Sequence, residues 1–381
     1  MREIIFEMDT LPLSLNPLKC NDYIGRQILC SIYERLIINY NCMLKIRKNL
    51  YTLELLFPNI SVDYYIETIQ YHKNLKNNSK YFRFFKGVKL KKITEKKIVF
   101  FINSEFPYDF KEILQSLFFI PSKSNIPINN GPYSLIKKTK YKIILSPNQN
   151  YWNKQNIQQF NIIFILNKNS KKTYQLYKEN KIMISSNTHF NYNLFSKKDI
   201  QQDINIINSN LIFMFEIKNV ELKKYIINNL KILKENTELK KLLNFVELKK
   251  NKEVKNIKVE AIKIIYSDFY PNEIIVNELK NILKNIKIEM IKISDFKSFV
   301  LINKEEYDII LHLITPSLKD IRSLGNSKSY LNEINFLNSI AESTKYIPFA
   351  KGKSIFLKRK EIKLIMDSLG QIRYELLRWE D

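Results

Sequence analysis

Glycine, cysteine and histidine are all scarce in this chain of 381 residues. It holds six glycines, three cysteines and three histidines. Cys20, Cys30 and Cys42 are odd in number and lack the spacing of a zinc site, which argues against both a disulfide framework and bound zinc. The histidines lie far apart in the sequence. We therefore expect free buried thiols and no metal centre.

Long apolar runs are also absent. No run of about 18 apolar residues occurs, so the sequence predicts no membrane-spanning helix. The first residues contain neither an apolar segment of signal-peptide length nor a lipobox before Cys20. We expect a cytoplasmic protein if Met1 is the true start. If the chain is a mature form, we expect an extracytoplasmic protein, in the periplasm or at the cell surface.

The motifs of common catalytic sites are missing. The sequence has no nucleophile elbow, no Walker loop, no GxGxxG and no HExxH. Asp308 is interpreted as a residue at the end of a strand, and Glu305 and Glu306 as a solvated loop. We predict that the protein is not an enzyme and uses no cofactor.

Positive charge is in large excess. The chain has 62 Lys and Arg against 38 Asp and Glu, a formal net charge of +24. Only nine of the basic residues are arginine, which binds phosphate through two parallel hydrogen bonds, and the lysines are spread along the whole chain. We interpret the charge as a solvated basic surface. Attraction to an anionic membrane face would follow from the same charge without a specific site. A basic RNA-binding protein stays open as an alternative.

Apart from its charge, the composition is that of a globular protein. Hydrophobic residues make up 45% of the chain and charged residues 26%. A chain of this length is sufficient for two or three lobes around a large core.

The stretch from Asn129 to Trp152 is the most distinctive part of the sequence. Gly131-Pro132 forces a turn, and two β-prone runs follow, separated by a polar Lys-Lys-Thr-Lys corner. Tyr151 and Trp152 close the stretch with two large aromatic side chains that need a surface to pack on. The pattern predicts a β-hairpin.

This stretch resembles the G-x-GPY…NPxYW segment of the peptide/nickel-type solute-binding proteins of ABC importers, known as family 5. Other segments resemble the same family in the same order along nearly the whole chain. Leu15-Asn16-Pro17 is similar to its Leu-(Asp/Asn)-Pro, and Ile32 to Ile37 resembles its φ-YEGL helix, with Arg35 in the place of glycine. A β-α-β unit between Lys258 and Ile309 is similar to the one in its second lobe.

The resemblance implies an α/β protein with the two-lobed, type II periplasmic-binding-protein-like fold and a ligand cleft between its lobes. Lobe 1 would comprise residues 1–207 and 344–381, with roughly 39–138 as an inserted subdomain. Lobe 2 would comprise residues 208–343.

The resemblance also implies where a ligand would bind. The first lobe would contribute Cys20, Asn21, Asp22 and Tyr23. The second lobe would contribute the segment that follows the Tyr-Asp strand, with the candidates Leu313, Ile314, Thr315, Pro316, Ser317 and Asp320. In the family a carboxylate just beyond that strand often binds the α-amine of a peptide, and here no acid follows Asp308 before Asp320.

The function that the resemblance implies is reversible capture of a peptide-like solute for an ABC permease complex, by a protein expected to be a monomer. Backbone groups of both lobes would pair with the extended ligand, so that its side chains matter little. The alternative within the same fold is an intracellular ligand-sensing domain.

Overall fold

The structure is a computed structural model. It describes residues 2–12, 14–20, 22–74, 81–103, 110–188, 192–250, 259–294, 299, 302–314, 337–338, 340–342, 344–366 and 371–380.

Strands and helices alternate along the described residues, as expected for an α/β protein. The strands are β1 (Arg2–Met8), β2 (Cys42–Arg47), β3 (Leu50–Leu55), β4 (Lys89–Thr94), β5 (Lys97–Phe101), β6 (Ser122–Lys123), β7 (Ile126–Pro127), β8 (Tyr133–Lys138), β9 (Lys142–Pro147), β10 (Phe160–Leu166), β11 (Ile204–Ile217), β12 (Leu243–Phe245), β13 (Ala261–Ser267), β14 (Lys287–Ile293), β15 (Ile309–Ile314), β16 (Tyr346–Leu357), β17 (Ile362–Lys363) and β18 (Arg378–Trp379). The helices are α1 (Tyr23–Ile32), α2 (Val62–Lys73), α3 (Phe82–Phe85), α4 (Phe110–Leu114), α5 (Thr173–Lys178), α6 (Val220–Asn229), α7 (Lys231–Glu235), α8 (Thr237–Leu242) and α9 (Asn272–Ile282).

The chain divides into two compact units. The first contains residues 1–5, 11–165 and 361–381, and the second contains residues 6–10 and 166–360. These units follow from packing, and their bounds differ from those expected for the two lobes. The lobe bounds stay a prediction.

The first unit contains a four-stranded antiparallel sheet in the order β2-β3-β5-β4. One face of this sheet is covered by α2, whose Val62, Tyr65 and Ile69 are buried in the same apolar core as Leu53 and Phe100 of the sheet. The predicted hairpin of the Asn129–Trp152 block is present as β8 and β9, within a sheet of order β1-β10-β9-β8.

The second unit is built on a six-stranded sheet in the order β12-β16-β11-β15-β13-β14. The long β11 lies at its centre and pairs antiparallel with both β15 and β16. The predicted β-α-β unit is present, because β13 runs parallel to β14 with α9 between them in the sequence. The apolar stripe of α9 is buried, as the four-residue spacing of Ile275 and Leu279 predicts.

Some segments differ from what the sequence pattern predicts. The apolar run Ile182-Met183-Ile184 predicts a strand, and the structure has isolated bridges at Ile184. The apolar spacing from Leu222 to Leu233 predicts one helix, and the structure divides it into α6 and α7, which meet at Leu230. A short helix that the sequence predicts from Phe296 to Leu301 lies largely outside the described residues.

The turn at Gly131 packs directly against the end of α1. Its backbone N–H donates to the carbonyl of Ile32 at 2.9 Å. A Cβ atom at Gly131 would lie 2.5 Å from the carbonyl carbon of Ile32 and 2.7 Å from the nitrogen of Tyr33, and both are backbone atoms that cannot rotate away. Glycine is therefore required here by close approach of two backbone segments.

We expect Gly131→Ala to lower the free energy of unfolding by about 1–3 kcal/mol, the usual cost of overpacking. Urea denaturation followed by tyrosine and tryptophan fluorescence measures it. Gly87→Asn is the matched control, since a Cβ at Gly87 meets no atom within 4 Å and asparagine tolerates its positive φ of 81°. Equal losses in the two variants would contradict the close approach at Gly131.

Candidate ligand-binding site

The first predicted site segment, residues 20–23, forms the start of helix α1. Asp22 is the N-cap of α1, and its carboxylate accepts a hydrogen bond from the backbone N–H of Gly25 at 2.6 Å. The thiol of Cys20 donates to the same carboxylate at 3.7 Å, and both side chains are buried. Burial, and then the charge of Asp22, raises the pKa of Cys20 to about 12, so the thiol stays protonated. These polar side chains stabilise the helix start.

The backbone of this segment is also held. The hydroxyl of Tyr81 donates to the carbonyl of Cys20 at 2.9 Å. Tyr23, at the first position of α1, is half-buried. Asn21 lies outside the described residues. The polar side chains of Cys20 and Asp22 stabilise the start of α1. That residues 20–23 contact a ligand stays a prediction.

A buried carboxylate follows the C-terminal end of α1 and accepts hydrogen bonds from the end of the Asn129–Trp152 stretch. Glu34 lies two residues beyond α1 and is 4% exposed. Its carboxylate accepts hydrogen bonds from the Tyr151 hydroxyl at 2.8 Å and from Trp152 Nε1 at 2.5 Å. The side-chain amide of Asn130 pairs with the backbone N–H and carbonyl of Glu34, both at 3.1 Å. Two segments that are about a hundred residues apart in the sequence are thereby fastened together.

Glu34 is a carboxyl group shielded from water. Burial raises its pKa to about 8, although the hydrogen bonds from Trp152 and Tyr151 act in the opposite direction. Desolvation thus outweighs hydrogen bonding, and Glu34 is protonated at neutral pH in the folded protein.

The second predicted site segment begins at the end of β15. Leu313 and Ile314 are the last two residues of this strand, half-buried and paired with Phe213 and Ile212 of β11. On the opposite edge of β15, the parallel register with β13 ends at Ile310. Over the described residues, Leu313 and Ile314 therefore pair with a neighbouring strand on the β11 edge alone. The remaining predicted positions lie outside the described residues: Thr315, Pro316, Ser317 and Asp320.

A second buried carboxylate lies beside the end of β15. Glu216 of β11 is 4% exposed and lies 2.8 Å from Nε2 of His312 and 2.5 Å from Nζ of Lys345. Burial by itself would raise the pKa of Glu216. The hydrogen bonds with His312 and Lys345 outweigh burial and lower that pKa to about 2. The contacts of Glu216 with His312 and Lys345 join β15 and the start of β16 to β11.

Sequence reasoning missed both buried carboxylates. Glu34 lies within the segment that resembles φ-YEGL, and Tyr151 and Trp152 lie at the end of the Asn129–Trp152 stretch, but no signal in the sequence joins them. Glu216 and His312 lie in ordinary apolar strands about a hundred residues apart, and no local pattern distinguishes them.

Neither clustered metal ligands nor a spanning helix occurs in the part of the chain that the structure describes. No group of three or more His, Cys, Asp or Glu residues there is placed to hold a metal ion. No helix there is both long enough and apolar enough to cross a bilayer.

The fold is that of the substrate-binding proteins that serve peptide ABC transporters. OppA of Haemophilus influenzae, in complex with the peptide RPPGFSPFR, has a TM-score of 0.79 at 10% sequence identity, over 100% of this chain and 99% of that protein. The murein tripeptide-binding protein MppA of Escherichia coli has a TM-score of 0.78 at 12% identity, over 100% of this chain and 99% of that protein. The dipeptide-binding protein of Pseudoalteromonas sp. SM9913, in complex with Met-Leu, has a TM-score of 0.78 at 12% identity, over 100% of both chains.

The likeness confirms the fold that the sequence predicts. The two-lobed, periplasmic-binding-protein-like α/β fold extends over the whole chain, and the resemblance to family 5 is confirmed at the level of the fold. No protein-family model and no curated protein matches the sequence.

The raised pKa of Glu34 predicts a pH-dependent stability. In the unfolded chain its pKa is near 4.5, and in the folded protein it is about 8, so the folded state holds a proton that the unfolded state has released. Its stabilising contribution is complete below pH 4.5 and is lost as the pH rises towards 8. We expect Glu34→Gln, which resembles the protonated acid, to flatten this decline of up to about 1.4 kcal/mol per pH unit.

The measurement is urea denaturation at a series of pH values. Glu3→Gln is the matched control in the same unit, because Glu3 is exposed. An unchanged pH profile in Glu34→Gln would contradict a protonated Glu34.

The lowered pKa of Glu216 predicts the opposite dependence. Its contribution to stability is present above the unfolded pKa of 4.5 and is lost as the pH falls towards 2. We expect Glu216→Gln to lower the thermal midpoint at neutral pH, and the difference from the wild type to shrink on acidification. Calorimetric scans of both proteins along a pH series measure this difference. A difference that stays constant with pH would show that the charge of Glu216 is not what stabilises the strands.

Proposed function

We propose that this protein captures a peptide-like solute and delivers it to an ABC importer. The observation that supports this proposal most is the likeness over the whole chain to substrate-binding proteins solved with peptides of two and of nine residues. The range of those ligands agrees with a grip on the peptide backbone, because contacts with the backbone are the same for every sequence.

The strand pairing at the end of β15 supports binding through the peptide backbone. Leu313 and Ile314 pair with β11 on one edge, while the register with β13 on the other edge stops at Ile310. An extended peptide that continued the sheet beyond this point would add a strand, with its N–H and C=O groups as the source of affinity. Leu313 and Ile314 are the residues that we propose for this pairing.

Residues 20–23, in the first unit, would bind the ligand in a different way. The polar side chains of Cys20 and Asp22 are hydrogen-bonded within the helix start. We propose that residues 20–23 contribute the ring of Tyr23, on a platform that α1 provides. Rigid elements position such contacts better than a mobile loop does.

A peptide series tests the proposal. We expect isothermal titration calorimetry to detect binding of unrelated peptide sequences and a strong dependence on peptide length. Because the N–H groups of a strand point alternately to its two edges, N-methylation of every second residue should weaken binding by tenfold or more. The same peptide methylated at the intervening residues is the matched control. Absence of heat with every peptide, or undiminished binding of both methylated peptides, would contradict a backbone grip.

The N-terminus of the peptide provides a second arm of the same experiment. The sequence has no acid between Asp308 and Asp320, so we expect N-acetylation to cost little. Asp320→Asn is the variant to compare. If acetylation costs much and Asp320→Asn abolishes that cost, Asp320 binds the α-amine of the peptide, and the ligand class is still right.

A further inference from the structure

The four-stranded sheet β2-β3-β5-β4 has one buried face and one open face. Leu44, Leu53 and Ile98 are paired across three of its strands and lie on the face that α2 covers. Residues at the intervening positions lie on the opposite face, because successive side chains of a strand alternate. This opposite face, called the open face below, consists of three cross-strand rows.

Each row of the open face is read from the strand pairing. The first row is Arg47, Leu50, Phe101 and Lys89. The second row is Lys45, Thr52, Val99 and Lys91. The third row is Met43, Glu54, Lys97 and Thr94.

The first two rows share one arrangement. A cation stands at each outer strand, and the two inner strands carry apolar or small side chains between them. With strands about 4.8 Å apart and rows about 7 Å apart, the four cations form a rectangle of about 14 by 7 Å around an apolar centre. Leu50 and Phe101 in that centre are 39% and 43% exposed. Leu50 and Phe101 are cross-strand neighbours, and Val99 follows on the same face of β5, so the apolar side chains adjoin one another as they do on interaction surfaces.

The charges of the open face are largely uncompensated. Among the described residues, no carboxylate forms an ion pair with Lys45, Arg47, Lys89 or Lys91, which are all exposed. The face carries one acid, Glu54, which pairs with Lys97 at 3.2 Å. The neighbouring Lys92 points to the other face and contacts both Asp63 at 2.6 Å and Glu95 at 2.5 Å. Carboxylates thus neutralise Lys92 on the covered face, whereas the four cations of the open face can bind an anionic partner.

This combination fits an anionic bilayer better than a nucleic acid. A nucleic-acid-binding sheet uses several aromatic rings on which bases stack, and the open face has one, Phe101. It has a single arginine, Arg47, for bidentate contact with phosphate. Aliphatic and aromatic side chains surrounded by lysine, in contrast, match the boundary between the headgroups and acyl chains of a membrane.

We propose that the open face of the β2-β3-β5-β4 sheet docks the protein on the surface of an anionic phospholipid bilayer. Leu50, Val99 and Phe101 lie at the level of the headgroups, and Lys45, Arg47, Lys89 and Lys91 contact lipid phosphates around them. The proposal concerns a surface and not the peptide site, so it stands or falls independently of the proposed function.

Co-sedimentation with vesicles tests the charges. The variant carries Lys45→Gln, Arg47→Gln, Lys89→Gln and Lys91→Gln. The matched control removes four charges from the exposed β8–β9 hairpin of the same unit, through Lys137→Gln, Lys138→Gln, Lys140→Gln and Lys142→Gln. Near an anionic surface each basic residue contributes about a fivefold gain in binding, so four of them should matter by tenfold or more even in physiological salt.

The expected result is binding of the wild type to phosphatidylglycerol-containing vesicles and not to pure phosphatidylcholine vesicles. The open-face variant should lose at least tenfold in affinity, and the hairpin control should lose much less. Equal losses in the two variants would assign the effect to net charge and overturn the proposal. Wild-type binding to an acidic polypeptide or to RNA without binding to the vesicles would overturn it too, in favour of a macromolecular partner.

A second measurement tests the apolar centre. Phe101→Trp introduces a reporter at an exposed position of the open face, and Tyr141→Trp introduces the matched reporter on the hairpin, where Tyr141 is 63% exposed. On addition of anionic vesicles, we expect a blue shift and quenching by brominated lipids for the reporter at position 101 but not for the one at position 141. Absence of both changes at position 101, in a protein that sediments with the vesicles, would show that another surface docks.

Discussion

The first unit depends on the hydrogen bonds of one buried carboxyl group, that of Glu34. It lies just beyond the end of α1, and it is held by the hydroxyl of Tyr151 and the indole N–H of Trp152. Leaving a buried polar group without its partner costs free energy, so Glu34 and Tyr151 depend on each other, and Trp152 donates to the same carboxyl group. Gly131 packs against the same end of α1. The helix, with residues 20–23 at its start, is therefore fixed relative to the hairpin.

The local elements of this fold could be predicted from the sequence, because their signals are local. Asp22 caps α1 as its position before the apolar spacing of Ile24 and Ile28 predicts. The turn residues around Gly131 and the two β-prone runs predict the β8–β9 hairpin, which is present. The order of the motifs along the chain predicted the two-lobed fold, which the likeness to solved proteins confirms.

The interactions between distant segments could not be predicted in this way. Nothing in the strand that contains Glu216 indicates that His312 and Lys345 will lie beside it, because that contact depends on the register of β11 with two strands that follow much later. Part of the candidate site is of the same kind. The resemblance makes Leu313 and Ile314 candidates through their position after Asp308, but the edge of β15 at which they have no pairing with β13 is a property of the assembled sheet.

The residues that carry the resemblance and the residues that surround Glu34 are largely the same. Gly131, Tyr151 and Trp152 belong to one motif and Glu34 to another, and the structure brings them into a single cluster with Asn130. Replacing one member would leave a buried polar group without its partner or force two backbones apart. A lysine on the surface carries no such penalty, since its charge stays in water. This difference gives a physical reason why the net charge of the chain can reach +24 without disturbing the cluster around Glu34.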